Sequence, residues 1–210
     1  MHINPAEQEQ VEELKRWWNT YGASIIIGIV LGATVLGGYK YWLYYNQVKS
    51  EEASVIYNEL RADVAGKKLA PANERVQRLR SEYRRTPYAG LAALLAAKLN
   101  FDSGKTEQAR ELLEWAANNA KGPSVRATAR LRLARILMES GQYDEALKVL
   151  DTEETGGYEA EFLEARGDVY LKKKDPAKAK QLYQQALSGL DRSAYREILQ
   201  MKLDDLAPGA

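Results

Sequence analysis

Side chains that could carry out catalysis are scarce in this sequence, and their spacing matches no familiar reaction. The chain has no cysteine and one histidine, His2, which excludes thiolate zinc sites, cysteine nucleophiles and histidine-based triads. The adjacent carboxylates Glu153–Glu154 and Asp204–Asp205 would point apart on a helix, which favours solvated acids over acid–base catalysis. Glycine-rich phosphate loops and GxSxG motifs are also missing. We therefore predict that the protein is not an enzyme and uses no cofactor and no metal ion.

The overall charge balance restricts the partners. Lys and Arg together number 30 and Asp and Glu 29, so no basic surplus indicates a nucleic-acid partner. Charged residues make up 28% of the chain and the mean hydropathy is −0.48, which are the averages of a soluble globular protein. These averages conceal one exceptional segment near the N-terminus.

Residues 22–39 contain no charged side chain. About 20 helical residues cross the roughly 30 Å hydrocarbon core of a bilayer. Tyr and Trp side chains, which favour the headgroup level, stand before and after this run. The sequence therefore predicts a tail (1–20), a transmembrane helix (21–45) and a helical domain (46–210). The flanking aromatic residues are Trp17, Trp18, Tyr21, Tyr39, Tyr41, Trp42, Tyr44 and Tyr45.

Two other interpretations of this run are a buried core helix and a cleaved signal peptide. A core helix rarely lacks charge over five turns, and a signal peptide begins with a basic region and ends in small residues. Here the N-terminus is acidic and the run ends in aromatic residues, which favours an uncleaved anchor. Orientation stays open, because Lys15 and Arg16 on one side balance Lys40 and Lys49 on the other.

Small residues recur at four-residue spacing within the predicted span. Gly28 with Gly32, and Ala33 with Gly37, form two such pairs, which let another helix approach closely. We predict a helix-packing face at these four positions. The alternative is the glycine enrichment common in membrane helices.

The remainder of the chain has apolar residues at helical spacing and turn signals between them, which predicts an all-α domain. Ala109, Ala146 and Ala179 recur at intervals of 37 and then 33 residues. A small residue precedes each by twelve positions, and one follows two of them by seven, as in tetratricopeptide (TPR) units. The match is degenerate, since no large aromatic residue stands at the fourth position, and generic helical hairpins are the alternative. Helices over 47–65 and 72–84 are predicted to form a first, irregular pair. The predicted repeats are 88–119, 124–151 and 158–189, followed by a capping helix over 193–206.

A TPR-like solenoid exposes one face of the first helix of each repeat, which is the usual place for peptide binding. Positions 2, 5, 9 and 12 of these helices combine apolar side chains with charges of both signs. We predict a protein-binding groove there; the alternative is that its apolar members belong to the core. The predicted groove residues are Leu94, Lys98, Phe101, Leu131, Arg135, Met138, Glu164, Asp168 and Leu171.

Several stretches, in their order and spacing, resemble the ancillary SecYEG translocon subunit family of Gram-negative inner membranes. They are VEELKRWWNTYG (11–22), GGYKYW (37–42), TPYAGLAALLAAK (86–98), LRLAR (131–135), ARGDVYL (165–171) and MKLDDL (201–206).

This resemblance implies properties that the residues alone do not indicate. The tail would be cytoplasmic and the helical domain periplasmic. The partners would be the SecYEG translocon, a membrane-anchored periplasmic chaperone of the peptidyl-prolyl isomerase type, and exported polypeptides after translocation. The resemblance implies no catalytic residues. The leading hypothesis is therefore a membrane-anchored interaction protein at the translocon; the alternatives are an anchored TPR scaffold for envelope or outer-membrane protein assembly and, last, a membrane-bound enzyme.

Overall fold

The computed structural model describes residues 5–189 and 194–206, and every regular element in these ranges is a helix. This confirms the predicted all-α fold. The chain divides into two compact units, Met1–Val48 and Lys49–Ala210. The helices are α1 (Pro5–Ala65), α2 (Leu69–Glu82), α3 (Pro87–Asp102), α4 (Thr106–Asn119), α5 (Pro123–Glu139), α6 (Tyr143–Leu150), α7 (Glu159–Lys172), α8 (Pro176–Ser188) and α9 (Ala194–Asp204).

The first unit consists of the N-terminal part of α1. By length and composition, α1 is the one helix in the described residues that could cross a membrane. Only 6% of its most apolar 18-residue stretch is buried, whereas a core helix of a soluble protein would be mostly buried. The hydroxyl of Thr34 donates to the carbonyl of Val30 at 2.8 Å, so the side chain presents no unpaired donor to lipid. The boundaries predicted for tail, span and domain stay a prediction.

The second unit is built from helix pairs that share one type of turn. A residue with left-handed φ, at 53° to 75°, follows the first helix of each pair. The next amide then donates to the carbonyl five residues earlier, at 2.8–2.9 Å, the closure of a Schellman motif. The left-handed residues are Lys67, Gly104, Gly141 and Lys174.

These turns reveal a repeat that the sequence analysis missed. Lys67 precedes Gly104 by 37 residues, the same interval that separates Gly104 from Gly141. The end of α1 together with α2 therefore forms a first repeat in register with the others, whereas the sequence predicted an irregular pair there. Ala72 of α2 occupies the place of Ala109, and both are fully buried.

Small residues lie at the crossings of paired helices, as the repeat pattern predicts. Ala109, Ala146 and Ala179 are all completely buried. At Gly167 of α7, an added Cβ would stand 2.3 Å from the ring of Tyr183 in α8. Close packing at these crossings therefore requires small side chains.

The third repeat, formed by α5 and α6, is shortened at its end. Helix α6 stops at Leu150, so Glu153, which stands where the second and fourth repeats have Ala116 and Ala186, lies outside any helix. The segment after α6 is held to α5 by Glu154, which accepts hydrogen bonds from Arg126 and Arg130. Polar contacts thus replace the helical turn that is missing here.

Two hydrophobic clusters make up the core of this unit. The larger extends from Ala53 to Val169, through most of the helix pairs. The smaller joins α7 and α8 to α9, whose Leu199 and Leu203 are buried in it. Helix α9 therefore covers the last pair, as predicted for a capping helix; Ser193, the predicted first residue of that helix, lies outside the described residues.

Candidate protein-binding face

Helices α3, α5 and α7 are the first helices of the last three repeats, and their outer side is called the A face. Helix α5 contacts both α3 and α7, so the three form a continuous row. All nine residues predicted for the groove lie on these helices.

The predicted groove residues differ in accessibility. Leu94 is 8% exposed and belongs to the larger core cluster, and Leu131 and Met138 are half-buried against that cluster. Lys98, Phe101, Arg135 and Leu171 are exposed, and Glu164 and Asp168 are half-buried. The structure therefore places part of the predicted set at the surface and part against the core.

An open cavity of about 370 Å³ lies between α3 and α5 and is called the Phe101 cavity. It contains three of the predicted groove residues, Lys98, Phe101 and Arg135. The complete lining is Ala97, Lys98, Phe101, Leu113, Arg132, Arg135, Ile136 and Glu139.

A smaller cavity of about 100 Å³ lies between α5 and α7 and is called the Tyr195 cavity. Arg135 lines it as well, and therefore stands on the ridge between the two cavities. Leu94 and Leu171 line neither cavity. The lining is Leu131, Ala134, Arg135, Met138, Glu161, Glu164, Ala165, Asp168 and Tyr195.

Helix α9 meets the acidic part of the A face with complementary groups. Lys202 Nζ lies 2.7 Å from a Glu164 oxygen and 2.6 Å from an Asp168 oxygen. The hydroxyl of Tyr195 donates to Glu164, and that of Tyr183 in α8 donates to Asp168 at 2.6 Å. Glu164 and Asp168 are therefore committed to contacts within the chain.

The environment of these groups changes their acidity. Burial, together with the hydrogen bonds to Glu164 and Asp168, raises the pKa values of Tyr195 and Tyr183. Burial alone would lower the pKa of Lys202, but its hydrogen bonds to Asp168 and Glu164 outweigh this and raise it. Lys202 therefore stays charged and both tyrosines stay neutral at physiological pH.

Several residues of this face were not among those predicted from the sequence. Arg132, Ile136 and Glu139 line the Phe101 cavity although they are not at the four positions assigned to the groove. A helix presents a stripe rather than single positions, so the residues beside each assigned position could have been included. Lys202 and Tyr195 carried no comparable signal, because their partners lie more than 30 residues away.

A further cavity of about 420 Å³ lies among α4, α5 and α6 and includes none of the predicted groove residues. Ion pairs within the chain occupy much of its charged lining: Arg110 pairs with Glu114 at 2.9 Å and with Glu145 at 3.4 Å. Within the described ranges, no group of three or more His, Cys, Asp or Glu side chains is arranged to hold a metal ion.

The residues predicted for helix packing lie on the open surface of α1. A Cβ added to Gly28, Gly32 or Gly37 would meet nothing within 4 Å. The backbone at these positions is accessible to another helix, and their use in packing, together with that of Ala33, stays a prediction.

Comparison with known proteins agrees with this architecture. Residues 15–208 match a family described as "Tetratricopeptide repeat-like domain". An "Ancillary SecYEG translocon subunit" of Neisseria gonorrhoeae is 32% identical over 204 residues, covering 95% of this chain and 97% of the relative. Its Escherichia coli namesake is 31% identical over 209 residues, covering 99% and 100%. The chain therefore belongs to the ancillary SecYEG translocon subunit family.

Proposed function

We propose that this protein is a membrane-anchored interaction protein, not an enzyme, that associates with the Sec translocon and assists exported polypeptides. The main support is its likeness, over nearly the whole chain, to relatives named ancillary SecYEG translocon subunits. The apolar helix α1 fits an inner-membrane anchor. In this proposal the tail is cytoplasmic, the helical domain is periplasmic, and a membrane-anchored periplasmic chaperone is a further partner.

Anchoring gives such a protein a physical advantage. A binding domain tethered beside the channel meets an emerging chain at a high effective concentration, on the order of millimolar for short tethers. Weak contacts on the A face would then suffice to hold a client and release it to a chaperone. This suits the Phe101 cavity, which is open and combines apolar and charged groups.

Copurification from native membranes tests the association. Tagged full-length protein is extracted in mild detergent, and an unrelated single-span membrane protein with the same tag serves as the control. We expect SecYEG and a periplasmic chaperone to be retained above the control. Retention of neither would refute the proposal.

Crosslinking in intact cells tests the assistance to exported polypeptides. A photo-reactive amino acid is placed at Phe101 or Arg135 of the A face, and at Lys180, an exposed residue of α8, as the matched control. We expect crosslinks to exported polypeptides or periplasmic chaperones from the A face and none from Lys180. Crosslinks only to cytosolic proteins would overturn the proposed orientation.

A further inference from the structure

The two halves of the A face differ in how their charges are satisfied. On α7, Glu164 and Asp168 both receive Lys202 of α9 within 2.7 Å. The chain thus supplies its own helix, with a complementary cation, to the acidic half. This shows the kind of contact that the row of helices accepts, namely a segment carrying apolar side chains and the opposite charge.

The half formed by α3 and α5 has the opposite sign, and no helix among residues 5–189 and 194–206 supplies a carboxylate to its arginines. Three cations and one anion line the Phe101 cavity. Lys98 is paired with Asp102 of its own helix at 2.6 Å, whereas Arg132 donates only to the carbonyl of Leu94, at 3.3 Å. In the described part of the chain, no carboxylate forms an ion pair with Arg132 or Arg135.

The floor of the same cavity is apolar. Ala97 and Leu113 are each 2% exposed and Ile136 is 7% exposed, so the floor is the upper surface of the core. Phe101 stands at the edge with 39% of its surface exposed, a large apolar area to leave in water. A cavity of about 370 Å³ is at the small end of the range for ligand pockets and suits a single large side chain.

We propose that the Phe101 cavity binds a segment of a partner polypeptide in which one large apolar side chain is flanked by carboxylates. The apolar side chain fills the cavity against Phe101 and Ile136, and the carboxylates accept hydrogen bonds from Arg132 and Arg135. An arginine fork pairs with a carboxylate in two parallel hydrogen bonds, so the arginines select acidic over neutral segments. This inference rests on the proposed function and specifies the chemistry of its client or chaperone partner.

Selection from a random peptide library tests the proposed ligand. Full-length protein in nanodiscs of zwitterionic lipid is presented with displayed dodecapeptides, and peptides that also bind the variant with both Phe101→Asp and Arg135→Glu are removed. We expect the remaining peptides to share a large apolar residue with Asp or Glu on either side. Basic or uncharged peptides, or no enrichment over the variant, would overturn the inference.

Exchanging the charges of both partners distinguishes a lost ion pair from a structural effect of the substitution at Arg135. Arg135→Glu should weaken binding of the acidic peptide about tenfold, the effect of one lost charged hydrogen bond, and should improve binding of the same peptide with Lys in place of its acids. Lys180→Glu makes the same charge change away from the cavity and should leave both affinities unaltered. Equal affinities for the two peptides on the original protein would contradict the inference.

Two further measurements, lipid binding and retention of SecYEG, distinguish failure of this inference from failure of the proposed function. One contrary result is a native mass spectrum that shows a phospholipid or fatty acid bound to the original protein and absent from Arg135→Glu. That result would assign the cavity to a lipid and overturn the proposal that it binds a peptide. If Arg135→Glu retains SecYEG and the original protein selects no acidic peptides, the inference is refuted but the proposed function is not. Failure of the original protein to retain either SecYEG or a periplasmic chaperone would refute the proposed function itself.

Discussion

At the scale of single residues, stability depends on a few positions where atoms have no room to move. Gly167 is the tightest, because the ring of Tyr183 occupies the space that a Cβ would need. Tyr183 is 1% exposed and its hydroxyl donates to Asp168, so the ring is held at both ends. The Tyr183 ring therefore cannot move aside to make room for a side chain at position 167.

We therefore expect Gly167→Ala to destabilise the second unit despite the higher helix propensity of alanine. Overpacking a filled crossing costs about 1–3 kcal/mol. The free energy of unfolding, from denaturant titration of the full-length protein in detergent, is the measurement. Gly66→Ala is the control, because a Cβ there meets its nearest atom at an ordinary 3.4 Å. Equal stability of the two variants would contradict the packing at the α7–α8 crossing.

Glu154 contributes to the stability of the fold in a way that depends on pH. Its hydrogen bond from Arg126, supported by Arg130, lowers its pKa from 4.5 to about 2. A carboxylate whose folded pKa is depressed stabilises the fold above its unfolded pKa, and this contribution is lost as the pH falls through the folded value.

We expect Glu154→Gln to lower the melting temperature at pH 6–7, and the difference from the original protein to shrink between pH 4.5 and about 2. Glu153→Gln is the matched control, since the neighbouring Glu153 is exposed, and it should have little effect across the range. A melting-temperature difference for Glu154→Gln that is independent of pH would show that the ion pairs contribute nothing.

At the scale of elements, the four helix pairs share a turn but not its residue. Gly104 and Gly141 hold the left-handed position in two repeats, and Lys67 and Lys174 hold it in the other two. A residue with a Cβ pays about 1–2 kcal/mol for this conformation, which glycine avoids. The repeats therefore allow glycine and lysine to be compared at the same position of the same turn.

We expect Lys174→Gly to stabilise the protein by about 0.5–1 kcal/mol, because relief of the left-handed strain exceeds the added flexibility of the unfolded chain. The reciprocal change Gly141→Lys should destabilise it by a similar amount. Chemical denaturation of both variants gives the two values. The same sign for both changes would mean that side-chain contacts, rather than backbone strain, decide stability at these turns.

Helix α9 depends on Lys202 for its position. The substitution Lys202→Met removes the ammonium group but keeps most of the apolar length of the side chain, so Glu164 and Asp168 lose their cation. Breaking a buried ion pair costs about 3–5 kcal/mol, and we expect less here because 30% of the Lys202 side chain is exposed.

Hydrogen exchange locates the effect of Lys202→Met. Amides of α7, α8 and α9 should lose protection, while those of α3 and α4 keep it, because the buried residues of α9, Leu199 and Leu203, belong to the smaller cluster. Lys180→Met, at an exposed position of α8, should change neither region. Uniform loss of protection throughout the unit would show that the two clusters unfold together.

At the scale of the whole molecule, the missing cysteines make the orientation directly measurable. A cysteine introduced for Glu12 marks the N-terminal tail and one introduced for Lys180 marks the helical domain, and both positions are exposed. If the domain is periplasmic, a membrane-impermeant maleimide should label Lys180→Cys in spheroplasts and Glu12→Cys only after lysis. The reverse pattern would place the domain in the cytoplasm.

The sequence by itself was sufficient to predict the apolar span and most of the helix pairs, because both depend on local patterns. A run without charge predicts an anchor from the cost of placing charges in lipid, and buried alanines at fixed intervals mark helix crossings. The first repeat escaped notice because Lys67 stands where two other repeats have glycine, and Leu60 where they have a small residue.

The accessible part of the A face was decided by tertiary structure alone. Lys98, Phe101 and Arg135 were predicted as groove residues and line the open cavity. Glu164 and Asp168 were predicted by the same rule, but they are bonded to Lys202, which lies 34 residues beyond Asp168. No local periodicity encodes such a contact, since docking of α9 depends on buried area and charge complementarity between distant segments.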